Sequence, residues 1–96
     1  MERSRFEFSQ KIVSMLDGQV LPFNRFHEVI SHVVSIINKI KPGEWYADID
    51  SFMYGGEHSI LRVYVLPPNR LDPVLTVSME VDYTSRGMLI HEMSFR

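Results

Sequence analysis

Apolar residues recur every three or four positions over one long stretch of the chain, Phe23 to Lys41 (FNRFHEVISHVVSIINKIK). Phe26, Ile30, Val33, Ile37 and Ile40 are spaced four, three, four and three, which places them on one face of a helix. Phe23, Val29, Val34 and Ile36 widen that face into a broad stripe, while Glu28, Ser31, Ser35, Asn38 and Lys39 fill the opposite side. Lys39 and Lys41 suit the carbonyl end of the helix dipole, and Pro42-Gly43 stops the helix. Pro22 suits a first turn, where a missing amide loses no partner. A stripe this wide needs a sheet or further helices to cover it.

A shorter helix is predicted over residues 5–16. Ser4-x-x-Glu7 has the form of a capping box, Phe8, Ile12, Val13 and Leu16 follow helical spacing with Met15 beside them, and Asp17-Gly18 is a stop signal. Gln19 to Pro22 reads as a brief connector, so the two helices are expected to be antiparallel neighbours.

Beyond Pro42-Gly43 the period falls from 3.6 to 2. From Glu44 to Tyr54, Trp45, Ala47 and Ile49 alternate with Tyr46, Asp48 and Asp50. Gly55-Gly56-Glu57-His58 is a turn, and Ser59 to Leu66 sets Leu61, Val63 and Val65 against Arg62 and Tyr64. A stiff loop with three prolines, Pro67 to Pro73, follows. Val74 to Tyr83 is the cleanest alternation: Leu75, Val77, Met79, Val81 and Tyr83 against Thr76, Ser78, Glu80 and Asp82. Thr84-Ser85-Arg86-Gly87 makes a hairpin turn into a last strand, Met88 to Phe95. The order α-α-β-β-β-β with short turns predicts one α+β domain spanning residues 1–96. Two antiparallel helices would lie on one face of a four-stranded antiparallel meander, a two-layer sandwich.

The last strand does not alternate cleanly. Leu89, His91, Met93 and Phe95 fall on one side, and Met88 and Ile90 on the other, followed by Glu92 and Ser94. Apolar surface on both sides of a terminal strand fits either an edge strand with ragged packing or a strand that pairs or packs against another chain, with Met88 and Ile90 as the candidate dimer interface.

Composition narrows the function classes. A chain of 96 residues that is 45% hydrophobic supports one core and excludes disorder. A net charge of -2 with a pI of about 6.0 gives no electrostatic drive towards nucleic acid or an acidic membrane. Without cysteine there is no disulfide framework and no thiolate chemistry. The N-terminal residues MERSRFEFSQKI carry alternating charge and no apolar core of a leader peptide, and no apolar run is long enough to span a membrane. A cytoplasmic location is expected.

Candidate chemistry is sparse. GxSxG, Walker and Rossmann patterns are absent, and Gly55-Gly56 alone does not make a phosphate cradle. His27, His32, His58 and His91 are scattered, with no HExxH, so spacing supports no metal site and no cofactor. Asp48 and Asp50 point the same way on a regular strand, but nothing resembles a calcium loop. The polar sheet face mixes tyrosine with charge, a common recognition surface. Tyr46, Asp48, Asp50, Arg62 and Tyr64, together with Arg70 on the proline-rich loop, are the candidate partner-binding residues.

The expected function is therefore a small non-catalytic module that binds a protein partner through the exposed sheet face, the last strand or the proline-rich loop. Inhibitor, immunity and accessory proteins of phages and mobile elements have this size. Two other readings stay open. One is a ribonuclease-like acid–base enzyme built from His58 with Glu57, Arg62, Asp48 and Tyr64. The other is a small-ligand binder formed at a homodimer interface.

Overall fold

Helical spacing becomes helix and alternation becomes strand, with one strand more than the periodicity predicts. The computed structural model describes residues 3–96. It contains α1 (Arg3–Leu16), β1 (Val20–Leu21), α2 (Phe26–Ile40), β2 (Tyr46–Met53), β3 (His58–Leu66), β4 (Leu75–Thr84) and β5 (Gly87–Phe95). The five strands form one antiparallel sheet in the order β1-β5-β4-β3-β2. Both helices pack on the same side of it, and the fold is α+β. Among the described residues no helix is long and apolar enough to cross a membrane.

The extra strand comes from the segment expected to be a plain connector. Gly18, at φ 77, turns the chain back after α1. Val20 and Leu21 then pair with Leu89 and Met88. The amide of Gly18 donates to Ile90 O at 2.7 Å, and the amide of Ile90 donates to Gln19 O at 2.9 Å, which continues the ladder. Pro22 has no donor and ends the strand. A Cβ on Gly87 would lie 2.2 Å from the Leu21 carbonyl oxygen, so the glycine is what lets β1 close on β5. The last strand is thus an interior strand and not an edge.

The helix boundaries also move. α1 is already helical at Ser4, so the Ser4–Glu7 pair lies inside the first turns and does not cap them. α2 begins at Phe26, preceded by an extended Arg25 whose side chain makes no cap, which leaves Pro22 and Phe23 outside the helix. Lys41 closes it at φ -63, ψ 146, the extended conformation that a following proline imposes.

The core runs through the middle of each predicted stripe. Val29, Val33 and Ile37 form its line on α2, and Phe8, Ile12 and Leu16 its line on α1, all at 2% exposure or less. Phe26, Ile30, Val34, Ile36 and Ile40 flank the first line, half-buried, while Val13 and Met15 of α1 point outward. The sheet contributes Ala47, Leu61, Val63, Val65, Leu75, Val77, Met79, Val81, Met88 and Ile90. Trp45, just before β2, packs its ring against Phe8 at 6.0 Å between centroids.

Two bulges set the phase of β5 and β2. In β5 the register slips between Ser78/Ser94 and Glu80/His91, and Glu92 takes a left-handed φ of 53. The extra residue returns Met93 and Phe95 to the same side as Met88 and Ile90. The apparent two-sided apolarity of β5 is therefore one continuous inner face. Met88 and Ile90 are fully buried inside their own chain. They have no surface to offer a second copy, so the expected dimer interface at these residues is overturned. In β2 the register slips between Ile49 and Ser51, which makes Asp50 the extra residue and turns Phe52 inward opposite Leu61.

The free edge of β2 is guarded. Asn38, expected to face solvent, receives the Ala47 amide on its Oδ1 at 2.7 Å and donates its Nδ2 to Ala47 O at 3.0 Å. It stands where a neighbouring strand would bond. The next outward amide, Ile49, donates to the Asp48 carboxylate at 2.8 Å.

Candidate functional site

Among the described residues no helix covers the second face of the sheet, and strand pairing orders its side chains in rows. Tyr64 lies between Asp48 and Thr76, and Arg62 between Ser51 and Ser78. Ile60 lies between Met53 and Glu80, with His91 beyond Glu80. His58 and Leu89 flank Asp82. Alternation along β3 and β4 sends every second residue to this face because its neighbours are held in the core.

Titratable groups meet at the His58 end. His58 Nδ1 lies 3.0 Å from Asp82 Oδ1, and His91 Nε2 lies 2.6 Å from Asp82 Oδ2. A carboxylate only accepts, so each of these ring nitrogens carries the proton that it donates. Glu80 adds a second carboxylate, with its Oε1 3.8 Å from His58 Nδ1. The hydrogen bond and charge of Asp82 hold His58 above the usual imidazole range against some desolvation, helped by Glu80 and Glu57. Burial alone would raise Asp82. The hydrogen bonds from His58 and His91, and the positive charge they bring, outweigh it and leave Asp82 below the usual carboxylate range.

Two rows further along the face is a polar cavity of about 300 Å³, lined by Asp50, Arg62, Thr76, Ser78, Ser94 and Arg96. Its two guanidinium groups and three hydroxyls come from three strands and the residue after β5. Thr76 and Arg96 exchange both backbone bonds at 3.0 Å, which carries the ladder out to Arg96. The β2 bulge places Asp50 at the cavity wall. Such donors match the geometry of a carboxylate or phosphate oxygen.

Of the residues singled out in the sequence, Tyr46, Asp48, Asp50, Arg62 and Tyr64 lie together along β2 and β3. Arg70 stands apart on the exposed loop beyond β3, beside Leu71, which is 93% exposed. The acid–base set centred on His58 does not form one site. His58 and Tyr64 are six residues apart on a single strand, about 20 Å. The groups that do touch His58 are Asp82, Glu80 and, through Asp82, His91. Spacing along the chain gave no sign of this cluster because its members come from three strands. The pairing of β3 with β4 and β4 with β5 is what joins them. Asp48 and Asp50 do not act as a pair, since Asp48 holds the Ile49 amide and Asp50 faces the arginine cavity.

An apolar groove lies on the helical layer. Phe6, Val13 and Phe95 line it together with Ser9, Gln10 and Ser14. Comparison with protein-family models, curated proteins and solved structures finds no match to the chain.

Proposed function

We propose that this protein is a non-catalytic interaction module that docks a protein partner on the uncovered face of its sheet. One observation carries the reading: the cavity formed by Arg62, Arg96, Thr76, Ser78, Ser94 and Asp50 near the middle of that face. Two arginines beside hydroxyls on a rigid sheet suit an acidic side chain or a chain-terminal carboxylate of the partner. Tyr46 and Tyr64 supply broad, stiff contact area on the neighbouring rows. Inhibitor and accessory proteins work in this way, by occupation of a surface without chemistry.

The test is capture of a partner from a lysate of the source cells. Wild-type protein is expected to retain one partner that Arg62→Ala with Arg96→Ala loses, at an unchanged circular dichroism spectrum. Retention by the double variant overturns the placement of the site.

A second reading, an acid–base enzyme acting on a phosphodiester, draws on the Asp82 carboxylate bracketed by two imidazoles close to the arginine cavity. It requires RNA cleavage by the purified protein that His58→Ala and His91→Ala abolish. An inert preparation ends it.

A further inference from the structure

We infer that His58, Asp82 and Glu80 form a binding site for a transition-metal dication of the zinc class, with His91 as the residue that positions Asp82. This goes beyond the docking surface and does not depend on it.

The geometry starts from three ligand atoms. His58 Nδ1, Asp82 Oδ1 and the nearest Glu80 oxygen all lie within 4.8 Å of one another. His58 Nδ1 is 3.0 Å from Asp82 and 3.8 Å from Glu80. Around a tetrahedral ion with bonds of about 2.1 Å, ligand atoms stand about 3.4 Å apart, between these two values. An ion that replaces the shared proton therefore needs only small side-chain shifts. His58 is largely exposed and can make them, while Glu80 and Asp82 are held on β4 in the middle of the sheet.

The donor set selects the metal. An imidazole nitrogen with two carboxylate oxygens favours zinc, cobalt or nickel over magnesium and calcium, which take oxygen alone. Two anionic ligands offset the charge of the dication. Three protein ligands leave at least one position for water or an outside ligand, the arrangement of an open site.

His91 has a separate part. Its Nε2 donates to Asp82 Oδ2, the oxygen that His58 does not use, at 2.6 Å. That bond fixes the carboxylate plane and leaves Oδ1 turned towards His58 and Glu80. A hydrogen-bonded partner behind a ligand is a regular feature of metal sites. The bulge at Glu92 immediately follows His91, so the strand resets its phase only after that side chain has been delivered to the outer face.

The experiment is a titration of the full chain, stripped with a chelator and desalted, with cobalt(II) followed by its visible absorption and with zinc(II) followed by calorimetry. One ion per chain is expected, with the absorption band of a nitrogen- and oxygen-ligated site. His91→Gln should weaken affinity by about 10–100-fold. His58→Ala and Glu80→Gln should weaken it at least as much, and His27→Ala and His32→Ala not at all. Circular dichroism keeps loss of binding separate from loss of fold. Absence of the band and of heat up to millimolar metal overturns the site, as does binding that survives His58→Ala. Affinity unchanged by His91→Gln overturns the role given to His91. Partner capture through the arginine cavity is a separate readout, so either proposal can fail while the other stands.

Discussion

β3 and β4 keep strict alternation through their paired lengths, whereas β2 and β5 each break it once. The regular strands lie side by side in the sheet, and their inner residues Leu61, Val63, Val65, Val77, Met79 and Val81 are sealed from solvent. The broken strands flank them, and each gains one polar residue at the break, Asp50 or Glu92. With that residue set aside, the apolar phase of both strands is intact. Ala47, Ile49 and Phe52 then fall on one side of β2, and Met88, Ile90, Met93 and Phe95 on one side of β5. The breaks are also where polar chemistry gathers. Asp50 faces the arginine cavity, and Glu92 follows the histidine that holds Asp82. Alternation specifies a face only between bulges, and a bulge lets a strand serve the core and a surface site in turn.

Deletion of one residue from each kind of strand should separate them most. Loss of Ser78 from β4 forces either Leu75 and Val77 or Met79 and Val81 onto the outer face. Two such side chains represent about 3–6 kcal/mol of burial. That approaches the whole stability of a small domain, about 5–15 kcal/mol. No cooperative urea transition is expected, or one displaced far to low denaturant. Loss of Glu92 from β5 removes only the bulge and leaves every inner residue in phase, so its midpoint should stay near that of the parent. If the Glu92 deletion unfolds the protein as readily as the Ser78 deletion, the two strands do not differ in the way described.

A second contrast concerns the edge that the sequence hid. Gly87 and Gly18 both have positive φ, 135 and 77, but only Gly87 is crowded. Gly87→Ala must push β1 away from β5 as well as strain the backbone, at about 1–3 kcal/mol or more. Gly18→Ala meets nothing within 4 Å and carries only the left-handed strain, about 1–2 kcal/mol. Amide exchange should separate them. Gly87→Ala is expected to expose the Ile90 amide, which bonds Gln19 in the intact sheet, and Gly18→Ala to leave it protected. Equal exchange in the two variants would remove Gly87 as the reason β1 closes.

These contrasts also explain what was legible in the sequence. Phe23 to Lys41 announces α2 because eight of its apolar residues, Phe26 to Ile40, share a broad helical face, and β4 announces itself by unbroken alternation. β1 was invisible because two residues hold no period, and its existence depends on a partner at the far end of the chain. The inward turn of Met93 and Phe95 was invisible because a bulge is a property of pairing and not of composition. The polar face is readable as a face, because alternation along β3 and β4 already puts Arg62 and Tyr64 on one side. Glu80, Asp82 and His91 could not be grouped with His58 before strand order was known. Arg96 reaches the cavity only because its backbone pairs with Thr76 beyond the end of β5, which spacing along the chain does not show.

The two sides of β2 give a smaller test. Towards β3 its backbone is paired, and towards solvent Ala47 is paired only by Asn38. Asn38→Ala removes two hydrogen bonds, for a loss of about 1–3 kcal/mol. It also bares a strand edge beside exposed Tyr46, Ile49 and Met53. Light scattering should show more concentration-dependent association than in the wild-type chain. Asn38→Asp retains the acceptor for the Ala47 amide and should associate less. A variant that loses stability yet stays unchanged in size would confine Asn38 to a packing role.

The smallest expected effect is the pH dependence of the outer face, where groups are solvated and the inner face contributes none. His58 is raised, so its contribution is complete below the unfolded imidazole value of about 6.5 and fades as pH climbs through its higher folded value. Asp82 is lowered, so its contribution is complete above the unfolded carboxylate value of about 3.9 and fades as pH drops through its lower folded value. The pair therefore stabilises most between about pH 4 and 6.5. Melting temperatures of wild type and Asp82→Asn, measured with chelator present from pH 3 to 9, should differ most in that window and converge on both sides of it. A His58→Ala chain should show a smaller difference from its Asp82→Asn counterpart in that window and keep part of the acid convergence, because His91 still holds Asp82. A difference that stays flat across the range would mean that Asp82 contributes through packing alone, and the contrast between a sealed inner face and an ionic outer one would lose its electrostatic half.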